Sequence, residues 1–337
     1  MGTLSIQVSF EEMKDTFYAI LLRHGFTKEQ STTLADVFAI NSLEGIYTHG
    51  VNRFPRFISY VRDGHVKTNA APSKVKGVGG LEQWDGNLGP GPLNAIHATN
   101  RATELAEGHG IGCVALANTN HWMRGGYYGW QAAKKGFVFI GWTNTTANMP
   151  TWGAINSKLG NNPLVFAVPF GEEGIVLDAA MSQYSYGMLD LYKLKNEKLP
   201  VAGGFDAVGN LTNDPEAIIQ SQRVLPIGYW KGAGLSLLLD ILGAILSGGL
   251  STSEISKKAA ESGLSQVFIA IDLKKLQNFP SIESTIQSII EDYHRSISSE
   301  DGKAVRYPGE RVKQIREENL SRGIPVVQGV WEEILTL

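Results

Sequence analysis

The sequence predicts an α/β fold with a helical N-terminal segment, and three observations carry that prediction. Capping signals and helical spacing fill the first 65 residues. From about residue 73, short β-type runs alternate with helical ones, and no repeat or low-complexity linker interrupts them. The length of 337 residues, with 43% hydrophobic and 19% charged side chains, is enough for a substantial core. We expect a single unit over residues 1–337: a helical segment over 1–65 followed by an α/β body over 66–337.

The elements follow in order. Ser9 to Glu12 reads as a capping box ahead of "MKDTFYAILLRHG", which Gly25 closes. A second helix follows Thr27, with Leu34, Val37 and Phe38 on one face. Pro55 suits the first turn of a third, "RFISYVRDG". In the body, "SKVKGVGG", "LEQWDG", "IGCVALANT", "FVFIGWTNT", "PLVFAVPF", "GIVLDAAMS" and "QVFIAIDL" are predicted strands. "PLNAIHATNRATELAEGHG", "RGGYYGWQAAKKG", "GLSLLLDILGAILSGG" and "SIESTIQSIIEDYHRSI" are predicted helices, and two short ones, "ERVKQIREENLSRG" and "GVWEEILTL", follow. The Gly/Asn/Pro-rich stretch 153–163 is expected to be an active-site loop.

Composition narrows the function. The net charge is -3 and the Lys and Arg residues are scattered, so no nucleic-acid partner is expected. The single cysteine, Cys113, lies in an apolar run, which rules out an internal disulfide and a cysteine-rich metal site and fits a reducing compartment. We expect it to be a small core residue. No basic segment followed by an apolar stretch opens the chain and no apolar run approaches membrane-spanning length, so the expectation is a cytoplasmic protein with no membrane contact and no metal.

Standard catalytic motifs are missing: no P-loop, no H-E-x-x-H, no G-x-S-x-G and no EF-hand loop. The nearest match to a Rossmann fingerprint, "GHGIGC", follows a helix and leads into a strand, the reverse of the required order. Four stretches remain. In "YTHGVNRFPR", His49 can exchange a proton, Arg53 and Arg56 can hold a carboxylate, and Thr48 can bond a substrate oxygen or orient the ring. In "NTNHWMRGGYYGWQ", Asn120, His121 and Arg124 cluster where a strand gives way to a helix, the end of a strand at which α/β folds place ligands. "GYWKGAGLSLLLDILG" sets Lys231 among glycines before a helix, a place suited to a phosphate. Asp240, further along, is either a satisfied buried acid or the orienting partner of a catalytic group. "VRYPGER" gathers charge around a Pro-Gly turn.

Taken in this order, these stretches, the "GNNPLVFAVP" block and the strand reaching Asp178 resemble the type 2 malate/L-lactate dehydrogenase family along almost the whole chain. "YTHGVNRFPRF", "EQWD", "NHWMRGGYYGWQAAKKG" and "LPIGYWKGAG" resemble its branch that reduces 2,3-diketo-L-gulonate. The resemblance implies a non-Rossmann, mixed-sheet NAD-binding fold and a homodimer. It implies NADH as reductant, with NADP not excluded, and a keto sugar acid as substrate. His49 matches the family's proton donor and Arg53 its carboxylate clamp; Thr48, Asn120 and His121 fall on the substrate wall. Thr48 stands where serine is usual, which keeps a hydroxyl. Cofactor contacts fall on Gly174, Ile175, Val176, Leu177, Asp178, Ala179 and Ala180, on Trp230 and Lys231, and on Gly309, Glu310 and Arg311. Competing readings are the same chemistry on malate, lactate or ureidoglycolate, a cofactor-free sugar-acid lyase or isomerase using His49 with Arg53, and a sugar-acid sensor.

Overall fold

In the computed structural model, which describes residues 5–299 and 302–337, the helical start forms as its caps dictate. After β1 (Ser5–Val8), α1 (Phe10–Arg23) begins where the Ser9 hydroxyl accepts from the Glu12 N–H. α2 (Lys28–Leu43) opens on a reciprocal box between Thr27 and Gln30. Two 3₁₀ turns, Tyr47–His49 and Val51–Arg53, then lead into α3 (Phe54–Arg62) with Pro55 in its first turn. The body runs β2 (Ser73–Val78), β3 (Leu81–Asp85), α4 (Gly91–His109), β4 (Ile111–Thr119), α5 (Gly125–Lys134) and β5 (Phe137–Thr143). It continues through β6 (Met149–Pro150), β7 (Ser157–Leu159), β8 (Leu164–Val168), β9 (Ile175–Ala179), α6 (Tyr186–Lys195), β10 (Gly204–Phe205), β11 (Leu211–Thr212) and α7 (Pro215–Ser221). Last come α8 (Trp230–Ser247), α9 (Thr252–Ile255), β12 (Leu264–Asp272), α10 (Phe279–His294), α11 (Val312–Arg322), β13 (Ile324–Val327) and α12 (Gln328–Leu335).

Seven strands form one mixed sheet in the order β2-β3-β4-β12-β5-β8-β9, in which only β3 and β4 run parallel to each other as neighbours. Alternation along the strands separates two cores, as the period of two requires. Val114, Leu116, Phe268 and Ala270 pack with α4 and α5, while Ala115 and Val267 pack with Ala233 and Leu239 of α8 on the other side. A third cluster joins α1, α2 and α3 to β13 and α12. The insertion of β12 between β4 and β5 has a geometric consequence. The C-terminal ends of β4, β5 and β9 and the N-terminal ends of β8 and β12 all lie along one edge of the sheet.

Four details depart from expectation. β1 and β13, which pair antiparallel across the length of the chain, carry too little periodic signal to be predicted, and neither do α6 and α7 stand out in the sequence. The stretch 153–163 is not wholly loop, because it contains β7, which pairs with β6 just before it. α8 starts at Trp230, so Gly232 and Gly234 lie inside it; a side chain at Gly232 would meet the Ile227 carbonyl at 2.3 Å. α8 is also apolar and long enough, by length and composition, to cross a membrane, contrary to the expectation of no such run, and only a third of it is buried. Asp240 is a satisfied acid: it accepts from Asn144 at 2.9 Å and from the Thr252 N–H of α9 at 2.8 Å. Cys113 is half-buried, and burial pushes its thiol up to about 11.

Candidate active site

The turn carrying His49 is fixed from behind. The Asn41 side chain donates to the His49 carbonyl at 3.0 Å, and the Ser42 hydroxyl accepts from the Val51 N–H at 2.8 Å. Gly50 lies so close to Ser42 that an added Cβ would stand 2.2 Å from its hydroxyl oxygen. The Thr48 hydroxyl meets His49 Nδ1 at 3.2 Å, which leaves Nε2 for a substrate oxygen. Facing it, the turn after β4 presents His121, whose ring lies 5.7 Å from that of His49 and within 13° of parallel. The Met123 N–H donates to His121 Nδ1 at 3.0 Å, so a neutral His121 carries its proton on Nε2. Met123 holds that turn in the left-handed region, with φ +67°.

Both rings line a cavity of about 560 Å³ at the shared edge of the sheet. Burial, then the positive charges of Arg53 and Arg124, pull His49 down to about 4. His121 is held well below its ordinary value by burial, then by Arg53, His49 and Arg56. The opposite wall is β9. Its Asp178 carboxylate accepts from the Gly126 N–H at 2.7 Å, and burial pushes it up against the pull of that N–H and of Arg124. Trp130, Val176, Gly309 and Val312 make an apolar floor beside it. Gly309, with φ +89°, passes so close to β9 that a side chain would touch Val176 and Trp130 at 3.1 to 3.2 Å. This pairing of an apolar floor with a polar, histidine-bearing end suits a flat aromatic ring beside a small oxo acid.

Arg124 enters the cavity wall stacked over Trp130 at 4.5 Å and paired with buried Glu44. Glu44 also takes Arg316, at 2.6 Å, and Arg316 reaches Glu173 at 2.8 Å, which ties α2 and α11 to the turn before β9.

The structure brings Thr48, His49, His121, Val176, Asp178, Ala179, Ala180 and Gly309 together around the cavity. It does not bring the remaining expected residues there. Asn120 sits behind the wall, with its amide nitrogen spent on the carbonyls of His65, Leu88 and Gly89. Gly174, Ile175 and Leu177 belong to β9 and its approach but do not line the cavity, because alternate strand residues point the other way or fall short of it. Trp230 and Lys231 are exposed at the start of α8. Glu310 bonds His294 at 3.0 Å and the Tyr307 N–H at 3.1 Å, and Arg311 precedes α11. Arg53 stands beside the histidines rather than in the lining, 3.6 Å from Glu261. Sequence reasoning missed Thr145, Asn161, Gln183, Tyr184 and Ser185, which also line the cavity. Only Asn161 had a signal, its place in the Asn-rich stretch 153–163.

A sequence profile described as malate/L-lactate dehydrogenase matches residues 8–335. Among curated proteins, a 2,3-diketo-L-gulonate reductase of Citrobacter koseri is 43% identical over 333 residues, covering 98% of this chain and 100% of the relative. One from Klebsiella pneumoniae is 44% identical with the same coverage. Among solved structures, the malate dehydrogenase of Pyrococcus horikoshii superposes with a TM-score of 0.88 at 27% identity, covering 98% of this chain and 93% of that one. The sulfolactate dehydrogenase of Methanocaldococcus jannaschii gives 0.86 at 26% identity, covering 98% and 95%.

Proposed function

Because this chain belongs to the malate/L-lactate dehydrogenase family, we propose that it reduces 2,3-diketo-L-gulonate to 3-keto-L-gulonate, with NADH as the reductant. The observation that carries the reading is the parallel pair His49 and His121 at one end of a cavity whose other end is the apolar floor of Trp130, Val176 and Gly309. The likeness to curated diketo-gulonate reductases, 43% and 44% identical along 98% of this chain, supports this substrate. β9 and Gly309 would hold a nicotinamide dinucleotide, which when bound would supply the hydride for the carbonyl carbon.

The chain's own residues do the rest. Arg53 draws the substrate carboxylate toward the histidines. His121, as a neutral ring with its proton on Nε2, donates a hydrogen bond to a substrate oxygen and fixes its orientation. His49 gives a proton to the developing alkoxide, with Thr48 holding its ring. Asp178 anchors the start of α5 through Gly126 and so fixes the distance between the two walls.

The molecule works as one catalytic unit, since the cavity takes residues from both the segment 1–65 and the body 66–337. It is a cytoplasmic homodimer. Trp230, Leu238 and Ile245 of α8 are 63%, 55% and 64% exposed and fall on one side of the helix, an apolar face suited to burial against a second copy. A second copy on that face would bury Trp230 and place Lys231 at the interface, where the resemblance wants a cofactor contact.

The test is NADH oxidation with 2,3-diketo-L-gulonate beside pyruvate, oxaloacetate and a blank, repeated with NADPH. Turnover of the diketo acid with NADH is the expected result. Preference for pyruvate or oxaloacetate would keep the family and overturn the substrate, and turnover with NADPH alone would overturn the cofactor.

A further inference from the structure

Arg53 and Arg124 are the two arginines whose charge reaches His49, and they are held very differently. Arg124 is locked in the Glu44 cluster and over Trp130. Arg53 makes no side-chain hydrogen bond among the described residues. Its carboxylate contact is Nη2 alone, 3.6 Å from Glu261 Oε2, longer than the roughly 2.7 to 2.9 Å of a charge-assisted hydrogen bond. The two side chains are only 22% and 10% exposed, so water does little to hold them apart or together. Glu261 itself is fixed from its other oxygen, which accepts from the Thr146 N–H at 3.2 Å, next to the cavity-lining Thr145. Its place just before β12 puts it on the same edge of the sheet as the cavity. Arg56 adds positive charge beside Arg53, so without Glu261 the pair would be uncompensated.

We propose that Glu261 is the resting counter-ion of Arg53: a positioning residue that holds the guanidinium loosely beside the histidines, yields it to the substrate carboxylate, and by that competition sets how tightly keto acids bind. The inference rests on the reading of Arg53 as the carboxylate clamp. A carboxylate designed only to brace Arg53 would meet it at hydrogen-bond distance with both oxygens, whereas Glu261 spends one oxygen on backbone and stands off with the other.

The experiment measures, by calorimetry on the enzyme–NADH complex, the binding of oxamate, which carries a carboxylate beside a carbonyl, and of oxamide, its uncharged analogue. Glu261→Gln keeps an acceptor for the Thr146 N–H and removes the charge; it should tighten oxamate by roughly three- to tenfold, the range of a partly buried ion pair, and leave oxamide unchanged. Glu261→Asp keeps the charge and should stay near native. In turnover, Glu261→Gln should lower KM for the keto acid with kcat preserved, a split that loss of a merely structural contact does not produce. Oxamate binding that is unchanged or weaker in Glu261→Gln overturns the proposal. Arg53→Gln separates the two layers of the argument. If it weakens oxamate while Glu261→Gln does not tighten it, the counter-ion role alone falls. If Arg53→Gln binds oxamate as the native enzyme does, the clamp falls, and the counter-ion role falls with it.

Discussion

Burial and two neighbouring guanidiniums hold His49 at about 4, against an ordinary value of 6.5, and this has a measurable kinetic consequence. The difference of about 2.5 pH units corresponds to about 3 kcal/mol against the charged ring, at about 1.4 kcal/mol per unit. At pH 7 only about one free enzyme molecule in a thousand carries that proton, yet the reductive transition state must contain it. Because kcat/KM reports free enzyme and free substrate, it should fall tenfold for each unit of pH from about 5 to 8, with no plateau in that window. Once a substrate carboxylate offsets Arg53, the ring's affinity for a proton rises, so the kcat profile should bend at a higher pH than the kcat/KM profile. The assay is initial-rate NADH oxidation across that range, with His49→Gln as the variant expected to turn over slowly while still binding NADH. A kcat/KM profile that is flat up to pH 6.5 and falls only above it would refute the depressed value. A profile with no slope at all would remove His49 as the proton donor.

Three further outcomes follow from the geometry. Glu44→Ala strands the buried Arg124, leaves Arg316 with Glu173 as its remaining carboxylate partner, and should cost about 3 kcal/mol or more, read as a lower thermal midpoint, whereas Lys134→Ala, which removes an exposed partner of Glu173, should cost less than about 1 kcal/mol. Gly50→Ala forces a methyl to within 2.2 Å of the Ser42 hydroxyl, displaces the His49 turn, and should reduce kcat/KM on the order of a hundredfold while the protein still folds; a native rate would show that the turn yields without moving the ring. Ile245→Glu puts a charge on the apolar face of α8; if the proposed homodimer forms through that face, native protein should sediment as a dimer and the variant as a monomer in analytical ultracentrifugation, equal sedimentation coefficients being the contrary result.

The sequence carries the site unevenly, and the reason is physical. Thr48, His49 and His121 were legible because each sits in a short stretch whose residue types are unusual together, whereas Asp178 and Gly309 were expected only through the family resemblance; the fold brings all five to one sheet edge. Arg53 was legible as a cation near the site, but not as a cation with a partner, because Glu261 lies more than two hundred residues away and is joined to it only by tertiary structure. Arg124 and Glu44, 80 residues apart, are likewise joined only by tertiary structure. Asn120 was expected on the substrate wall, yet it does not line the cavity, and its amide nitrogen donates to three backbone carbonyls that a sequence cannot place. Strands with clear patterns were found, whereas β1 and β13, of four residues each, are defined by each other. Sheet order was not legible at all, since nothing local in β12 says that it will enter between β4 and β5.

The pairing of β1 with β13 bears on how the protein is made. Ser5 meets Val327, and Trp331 of α12 packs against Phe17 of α1. At a ribosomal rate of about 5 to 20 residues per second, the partner of β1 emerges roughly 15 to 60 s after it. During that interval α1, α2 and α3 can form, but the apolar surface they will share with Ile324, Val326 and Trp331 stays uncovered. The turn that carries His49 therefore rests on a layer that is completed only once β13 and α12 have been made. A nascent chain of this protein needs shielding on that surface until β13 arrives, and activity should appear only after it has docked.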